Sequence, residues 1–581
     1  MKRCPTCQRT YTDEVKFCRV DGVTLVNASA ELSESEVTRV LPESRATGEA
    51  PTEVIRDPGE GKLTTSALKP GAASAAIGAP RRSMTGRKLA LIVALIVLVI
   101  VVPIVMVVAG YISYRHARNT EVAIDSIAVL PFENQNRDPN IDYLSDGVTE
   151  SIMNNLAQLP NLRVSPRSSV FRYKGKETDA LAIGKELGVR AVLTGRLLQR
   201  GDSLTISTEL LDVRDNKQVW GEQYNRKLAD ALAVQQEISR EITDRLRLKL
   251  SGEEQKQLTR RDTGNPKAYQ FYLKGRYYWN KRTAENIRKA MEQFQQAADK
   301  DPNYALAYVG LADCYSLLEI YAGTPASDTH LKAKAFAQRA LQLDGSLAEA
   351  HTSLAFADTS LWQWEEAEAE FKRAIKLDPN YPTAHQWYST LLRDLGRLDE
   401  SLAETKRAQQ LDPLSLIIGQ NLALAYLSLG DVTSAIEQSK RVIDLDPAFP
   451  RAHWALGLAY LKQGRHSEAV AELQKAFELS GGEREMLSHL GYGYAISGKG
   501  AAALAILKEV QGKYQKHEAL GQDVAAIYAG LGDKDQAFAW LEKDFETSSG
   551  QLARVRWEPP FESLRSDPRF ADLLRRMGVP S

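Results

Sequence analysis

Three of the four cysteines lie within the first 18 residues, next to an aspartate that completes a possible metal site. Cys4, Cys7, Cys18 and Asp21 follow the spacing C-x2-C-x10-C-x2-D. This spacing brings two short turns together, so that four ligands could surround one tetrahedral ion. Zinc accepts carboxylate oxygen as well as thiolate sulfur. The pattern predicts a structural zinc site of Cys3Asp type, and the clustered thiols favour metal ligation over a disulfide framework.

Residues 1–26 resemble the short zinc ribbons at the N-termini of many bacterial membrane and regulatory proteins. Those ribbons end in C-x2-C-G, whereas this chain has Asp21 before Gly22. Two interpretations therefore stay open: a ribbon that binds zinc, and a degenerate ribbon that does not. A closed four-ligand site would be structural, since it leaves no open coordination position for catalysis. The neighbouring basic residues are countered by acidic ones, which favours docking to protein over contact with DNA.

Several domains must position the remaining residues, because 581 residues suffice for roughly four domains of average size. The 74 basic and 74 acidic residues cancel, so the total charge indicates no nucleic-acid partner. No nucleotide-binding motif and no family signature of a Ser, His and Asp set stands out. The sequence therefore favours a protein that is not an enzyme, and it identifies no small-molecule substrate.

One apolar run divides the chain. Leu89 to Ala109 comprises 21 residues without a charge. At about 1.5 Å per residue, a helix of this length spans the roughly 30 Å hydrocarbon core of a bilayer. A secretory signal is the alternative, but the 88 preceding residues are too many for its n-region. We predict a transmembrane helix within 87–114, preceded over 27–86 by a disordered linker that lacks apolar periodicity.

The charges that flank the apolar run indicate its orientation. Four basic residues precede it and two follow it: Arg81, Arg82, Arg87 and Lys88, then Arg115 and Arg118. Basic flanks favour the cytoplasmic side, and free thiols survive best in the cytosol. We expect a single-pass protein of the bacterial inner membrane, with a cytoplasmic N-terminus and periplasmic C-terminal domains.

Residues 122–250 predict an α/β domain with a mixed sheet. Strand patterns occur at 126–131, 162–170, 190–199, 203–213 and 217–226, and helical patterns at 143–160, 179–188 and 230–250. Ser145 or Asp146 is expected to cap the first helix, with Glu150 in its first turn. Gly188 is expected to end the second helix.

Four motifs in this region carry a resemblance: "IAVLPFEN", "YLSDGVTESI", "GVRAVLTGRL" and "VWGEQYNR". They look like the TolB-like N-terminal domain that bacteria join to tetratricopeptide arrays, often behind a membrane span and a cytoplasmic kinase, cyclase or winged-helix module. The resemblance implies interaction on the envelope side and no catalysis. Asp146, Arg167 and Lys174 could line a ligand pocket, although capping and solvated loop positions are the simpler interpretation.

A 34-residue period governs residues 266–551. Glycines recur at this step from Gly396 to Gly532, as do prolines from Pro379 to Pro447 and small residues from Ala355 to Ala525. This register is the tetratricopeptide (TPR) signature, in which small residues allow paired helices to approach closely. We predict about eight helix pairs in a superhelix with a concave inner face. Residues 552–581 are predicted to form a C-terminal capping helix.

The first helix of each pair is expected to line the concave face, because ligands of similar arrays lie there. The resemblance carries the groove positions onto six residues: Phe356, Arg393, Leu424, Trp454, Leu458 and Tyr492. Their largely apolar character favours an extended peptide or helix with aromatic and aliphatic anchors. Packing against neighbouring helices is the alternative for each of them. His351, His385 and His453 share one repeat position, and we interpret them as packing residues and not as metal ligands.

Two functions are compatible with these features. The first is a membrane-anchored adaptor or scaffold that binds protein partners through its TPR groove. The second is a transmembrane signalling or transcription-regulatory protein with the zinc ribbon as its cytoplasmic module. The sequence as a whole predicts a multidomain chain of zinc ribbon, one transmembrane helix, α/β domain and all-α TPR superhelix.

Overall fold

The computed structural model describes residues 124–246 and 262–579, except positions 160, 177, 178, 325 and 548, together with residue 252 and three short strands near the N-terminus. These strands are β1 (Lys2–Arg3), β2 (Thr10–Tyr11) and β3 (Val26–Asn27), and β1 pairs antiparallel with both others. The predicted zinc ligands, residues 28–86 of the predicted linker and residues 87–114 lie outside the described residues. None of the helices in the described ranges has both the length and the apolar composition needed to cross a membrane.

A mixed six-stranded sheet forms the centre of residues 124–246. Its strands are β4 (Ser126–Val129), β5 (Glu133–Asn134), β6 (Arg163–Val164), β7 (Ala191–Arg200), β8 (Ser203–Asp212) and β9 (Lys217–Lys227). The order is β6-β4-β7-β8-β9, and β5 pairs with β7. Strand β4 is parallel to its neighbours β6 and β7, and β5 is parallel to β7. The pairs β7-β8 and β8-β9 are antiparallel. Alternate residues of β8, from Leu204 to Leu210, are buried on one face of the sheet.

Four helices accompany this sheet: α1 (Asp142–Ala157), α2 (Arg167–Phe171), α3 (Ala180–Leu187) and α4 (Ala231–Arg245). The carboxylate of Asp179 accepts N–H bonds from the first turn of α3. Gly188 ends α3 with φ of 65°, a left-handed conformation that glycine adopts without strain. The prediction for Gly188 is confirmed.

Two local predictions in this region are wrong. A 3₁₀ turn at Pro139–Ile141 leads directly into α1, so Ser145 and Asp146 are buried inside the helix and do not cap it. Glu150, expected in the first turn, lies in the middle of α1. The strand predicted over 162–170 is limited to β6, because Pro166 starts helix α2 with its fixed φ.

Eight helix pairs follow in the described part of the chain, each pair antiparallel and joined by a short turn. They are α5 (Pro266–Trp279) and α6 (Ala284–Lys300), α7 (Ala305–Ala322) and α8 (Ala326–Leu343), α9 (Ala348–Ser360) and α10 (Trp364–Leu377), α11 (Pro382–Asp394) and α12 (Leu398–Leu411), α13 (Leu416–Ser428) and α14 (Val432–Leu445), α15 (Pro450–Lys462) and α16 (His466–Leu479), α17 (Arg484–Ile496) and α18 (Gly500–Gln515), and α19 (Gly521–Leu531) and α20 (Lys534–Glu546). The predicted helical array is confirmed.

Positive φ explains the periodic glycine of the array. Gly396, at the turn between α11 and α12, has φ of 77°, and its equivalents have φ between 75° and 83°. Side chains with a Cβ avoid this conformation. The glycine therefore sets the angle at which the second helix folds back on the first.

The first helix of the array belongs to the core of the α/β domain. Tyr269 and Leu273 of α5 are buried with the apolar residues of the sheet and of α1. Gly147 of α1 makes room for this contact, because a Cβ there would lie 2.8 Å from Cδ2 of Leu273. The α/β domain and the first repeat therefore share one hydrophobic core.

The C-terminal segment differs from the predicted capping helix over 552–581. Within residues 552–579, which the structure describes, only α21 (Pro568–Arg576) is α-helical, and two 3₁₀ turns precede it at Leu552–Arg556 and Pro559–Leu564. The successive prolines Pro559 and Pro560 lack backbone N–H groups, which disfavours a continuous helix through this point. We call residues 549–565 the tail.

Candidate functional site

The tail lies against the first helices of several repeats. Its two 3₁₀ turns contact α11, α15 and α19, which are the first helices of the fourth, sixth and eighth repeats. Leu552, Val555 and Phe561 are buried in a cluster with residues of α19 and α20. The face predicted to receive a partner peptide is therefore covered by a segment of the same chain.

All six predicted groove residues are buried or half-buried. Their exposed fractions are 8% for Phe356, 5% for Arg393, 3% for Leu424, and 0% for both Trp454 and Leu458, while Tyr492 is half-buried. Phe356 packs against Trp387 within the array, with ring centroids 4.5 Å apart and the rings inclined by 38°. Leu424, Trp454, Leu458 and Tyr492 belong to one cluster that also contains Trp557 of the tail.

Trp557 is the aromatic anchor of the tail. Its indole Nε1–H donates to Oδ1 of Asp394 at 2.9 Å, and the guanidinium of Arg393 lies 4.2 Å from its ring centroid. Only 6% of Trp557 is exposed. Burial raises the pKa of Asp394, and the positive charge of Arg393 and the indole bond oppose that rise. Trp557 thus contacts two consecutive residues, Arg393 and Asp394, at the end of α11.

Arg554 is the charged anchor of the tail. Its guanidinium forms salt bridges of 2.5 Å with Glu485 of α17 and with Glu558 of the tail itself. Arg451 of α15 also contacts Glu485, at 3.3 Å. Burial alone would raise the pKa of Glu485, but Arg554 and Arg451 hold that pKa below its ordinary value. Each carboxylate in this buried network therefore has a cationic partner.

A further buried bond joins the start of the tail to the second repeat. Ser549 Oγ donates to Oε1 of Glu319 at 2.8 Å, and the other carboxylate oxygen contacts Nε2 of His330 at 2.8 Å. The backbone carbonyl of Glu319 accepts from Arg484 of α17 at 3.2 Å. The second and seventh repeats therefore meet at this residue, and the tail closes the face between them.

The three equivalent histidines join the two helices within their repeats. Nδ1 lies 2.5 to 2.6 Å from the carboxylate of Glu370, Glu404 or Glu472, and Nε2 lies 3.0 to 3.2 Å from a carbonyl oxygen of the preceding turn. The three members are His351, His385 and His453. Within the residues that the structure describes, no group of three or more His, Cys, Asp or Glu side chains is arranged for a metal ion. These contacts agree with the structural role predicted for the histidines.

Charged residues of the α/β domain form ion pairs near the first repeat. Lys174 contacts Asp146 at 2.7 Å, and Arg167 contacts Glu150 at 3.2 Å. Glu150 also accepts from Arg276 of α5 at 2.5 Å. Burial would raise the pKa of Glu150, but Arg276 and Arg167 lower it overall. Asp146, Arg167 and Lys174 therefore have partners within the fold, as the non-ligand interpretation expects.

Family models match two parts of the chain. Models described as TPR or tetratricopeptide repeats match residues 363–415, 423–464 and 450–482. The chain therefore carries a TPR array. A model described as the second domain of HilA/YgeH-like transcriptional regulators matches residues 123–241. This is the region that resembles a TolB-like domain, and the matching model has a different family name.

One curated relative is a putative adenylate cyclase 3 of Rhizobium meliloti (strain 1021). It is 34% identical over 247 residues, which cover 42% of this chain and 42% of the relative. The chain thus spans less than half the length of this relative. The similarity concerns part of each protein, and it does not extend the relative's name to this chain.

Several solved structures resemble the array at low similarity. YrrB, described as a TPR protein with an unusual peptide-binding site, is 22% identical with a TM-score of 0.23, covering 32% of this chain and 91% of that one. PilF of Pseudomonas aeruginosa is 19% identical with a TM-score of 0.29, covering 37% and 93%. A human IFIT1 dimer with PPP-AAAA is 15% identical with a TM-score of 0.37, covering 55% and 78%.

The residues of the tail itself are absent from the predicted site. Arg554, Trp557 and Glu558 fall in the range predicted as a capping helix, although "RVRWEPPF" lacks the apolar spacing of a helix. Aromatic and arginine residues beside two prolines are a signal for a docked segment, since such residues anchor peptides in grooves. Their partners, 69 to 163 positions away, could not be assigned from sequence.

Proposed function

We propose that the chain is a non-enzymatic scaffold that binds a protein partner through the inner face of its TPR array. The observation that carries this proposal is the docking of Trp557 and Arg554 on α11 and α17. A polypeptide segment already occupies the face, with one aromatic and one cationic anchor. The same face is therefore suited to a partner segment of similar chemistry.

The bound tail defines the chemistry of the partner. A ligand needs an aromatic residue that donates to Asp394 and a cation that reaches Glu485, followed by apolar residues. The groove residues Arg393 and Trp454 would contact it as they contact the tail. Partner binding on this face therefore competes with the tail of the same chain.

Competition by the tail can be tested with a fluorescent peptide of residues 549–567. We expect Arg554→Gln in the full-length chain to bind the peptide about tenfold more tightly than the wild type, because its own tail docks less strongly. Arg569→Gln is the matched control, since Arg569 is an exposed arginine next to the tail, paired with Asp535. Fluorescence anisotropy gives the affinities.

A peptide with alanine in place of its tryptophan should not bind any of these proteins. Equal affinity of the native peptide for wild type, Arg554→Gln and Arg569→Gln would refute competition on the face. Failure of every protein to bind the native peptide would refute the groove as a peptide-binding site. Circular dichroism of the Arg554→Gln chain shows whether the array stays folded.

We further propose a membrane-anchored chain with a cytoplasmic zinc ribbon at Cys4, Cys7, Cys18 and Asp21 and with periplasmic α/β and TPR domains. The support is the spacing of the ligands and the charge distribution around residues 87–114. Metal analysis should find one zinc ion per chain and none in a Cys4→Ser, Cys7→Ser variant. Protease added to spheroplasts should digest the C-terminal domains, and their full protection would refute this orientation.

A second candidate function is signalling or transcription regulation. It is favoured by the match of residues 123–241 to a domain of HilA/YgeH-like transcriptional regulators and by the partial similarity to a putative adenylate cyclase. In this case, binding of a partner to the TPR array would regulate the activity of a module at the other end of the chain. DNA binding in a gel-shift assay, or formation of cyclic AMP from ATP, would favour this candidate over the scaffold.

A further inference from the structure

Trp362, in the turn between α9 and α10, occupies the position at which the later repeats have glycine. It stands one 34-residue period before Gly396, and this step recurs up to Gly532. Its φ is 59°, in the left-handed region to which Gly396 also belongs. A residue with a Cβ adopts this conformation at a cost, and a bulky one does so rarely. The tryptophan therefore strains a turn that glycine forms without strain.

The turn itself does not require the indole, because its backbone bonds match those of the glycine turn. The N–H of Gln363 donates to the carbonyl of Asp358 at 2.9 Å. In the next repeat, the N–H of Arg397 donates to the carbonyl of Leu392 at 2.8 Å. The side chain of Trp362 is half-buried, and its buried Nε1 has no acceptor among the described residues. Strained backbone and an unpaired buried donor persist only where another contact compensates for them.

The compensating contact lies in the eighth repeat. The indole of Trp362 stacks on Phe545 of α20, with ring centroids 5.5 Å apart and an angle of 25° between the rings. Two positions further on, Nε1–H of Trp364 donates to the backbone carbonyl of Met577, directly after α21, at 2.9 Å. Both tryptophans thus join the third repeat to the C-terminal end of the array. We call the contact between Trp362 and Phe545 the seam.

The seam lies beside the start of the tail. A Cβ on Gly550 would lie 2.8 Å from Cβ of Ser360, so the tail backbone runs directly against the end of α9. Ser360 is the last residue of α9, two positions before Trp362. Phe545 is the penultimate residue of α20, shortly before the tail begins at Ser549. Both partners of the seam therefore lie next to the point at which the tail begins.

We propose that the seam is a latch that holds the start of the tail in the groove, and that its opening releases the tail. This inference rests on the proposed function, because the face so uncovered is the one offered to a partner segment. Opening relieves the strained backbone of Trp362 and returns its Nε1–H to water. Both effects offset part of the lost ring contact, so the seam opens more readily than an equal contact on an unstrained turn would.

Hydrogen exchange of the full-length chain tests the latch through Trp362→Gly. Glycine suits the turn, so this substitution removes the ring contact without disturbing the backbone. We expect exchange at residues 552–564 to become about tenfold faster, since the loss of an aromatic contact shifts the docking equilibrium by about this factor. Exchange in α5 should keep its wild-type rate.

Arg282→Gly is the matched control. Arg282 has φ of 52° in the turn between α5 and α6, so glycine relieves the same kind of strain there. Its guanidinium lies 3.5 Å from the ring centroid of Trp279 in the same repeat, and its substitution should leave exchange of the tail unchanged. Trp362→Phe keeps a ring on Phe545 and should accelerate that exchange less than Trp362→Gly.

Equal exchange of the tail in Trp362→Gly and Arg282→Gly would overturn the latch. A fluorescent peptide of residues 549–567 separates this failure from that of the proposed function. We expect Trp362→Gly to bind the peptide about tenfold more tightly than the wild type in fluorescence anisotropy, because its own tail docks less strongly. Faster exchange of the tail with no peptide binding by any protein would support the latch and refute the peptide-binding groove. Tighter binding by Arg554→Gln but not by Trp362→Gly would leave competition by the tail intact and overturn the latch.

Discussion

The two ends of the TPR array are held by different kinds of contact. At the N-terminal end, Leu273 and Tyr269 of α5 enter the hydrophobic core of the α/β domain. At the other end, the tail contacts the fourth repeat through an indole bond to Asp394 and the seventh repeat through a buried ion pair to Glu485. Its apolar residues pack chiefly on α19 and α20.

In the proposed function, the N-terminal joint is permanent and the tail is a contact that a partner segment replaces. Separating α5 from the α/β domain exposes apolar surface that no soluble peptide would cover as well. Separating the tail from α11 and α17 exposes polar groups for which another peptide can provide the same partners. If no peptide took the place of the tail, the buried carboxylate of Glu485 would lose the charge of Arg554. The array is therefore expected to stay attached to its domain while the tail exchanges.

The largest effect is expected at the N-terminal joint. Leu273→Ala removes a side chain that is 1% exposed, and we expect it to lower the free energy of unfolding by about 2–5 kcal/mol. Leu331→Ala is the matched control, because Leu331 is 62% exposed on α8. Urea unfolding of the full-length chain, followed by circular dichroism, measures both. Equal effects of the two substitutions would contradict the shared core.

A smaller effect is expected at the tail. Trp557→Phe keeps an aromatic ring but removes the N–H that binds Asp394, which should weaken tail docking by about 1–3 kcal/mol. Hydrogen exchange at residues 552–564 should accelerate accordingly, while exchange in α5 stays unchanged. The helix pairs next to the α/β domain thus serve as an internal reference.

Trp362→Phe is the control for the tail substitution. Trp362 stacks on Phe545, with centroids 5.5 Å apart, and its buried Nε1 has no acceptor among the described residues. Its replacement removes the same ring volume as Trp557→Phe but no hydrogen bond, so it should accelerate exchange of the tail less. If both substitutions accelerate exchange of the tail equally, the bond to Asp394 does not hold the tail.

The sequence predicts the array better than the tail for a physical reason. Gly396 and its equivalents up to Gly532 report a local backbone requirement that repeats from turn to turn, so the period reveals the helix pairs. Trp557 and Arg554 depend on partners in distant repeats, which no local pattern encodes. The misplaced start of α1 has a related cause, because Ser145 satisfies the local preference of a cap while tertiary packing buries it.

The smallest effect concerns pH and separates a buried carboxylate of the second repeat from the carboxylate that pairs with the tail. Asp313 of α7 is 5% exposed and accepts from Ser353 Oγ at 2.5 Å, and burial raises its pKa from 3.8 to about 6. A raised carboxyl pKa stabilises the folded chain at low pH, and this contribution is lost as the pH rises from about 4 to about 6. The pKa of Glu485 is shifted the other way, below its ordinary value of 4.5. The stability that Glu485 contributes is therefore lost only as the pH falls below 4.5.

Between about pH 4.5 and pH 7, Asp313 should therefore contribute a loss of stability as the pH rises, whereas Glu485 should contribute no change. We expect the unfolding free energy of the wild type, relative to Asp313→Asn, to fall by on the order of 1–2 kcal/mol over this interval, since one pKa unit corresponds to about 1.4 kcal/mol. Glu485→Gln should keep the pH dependence of the wild type in the same interval, because Glu485 stays ionised there. Urea unfolding at several pH values measures the three proteins. A pH dependence that Glu485→Gln abolishes and Asp313→Asn preserves would reverse the assignment and place the titrating group at the tail.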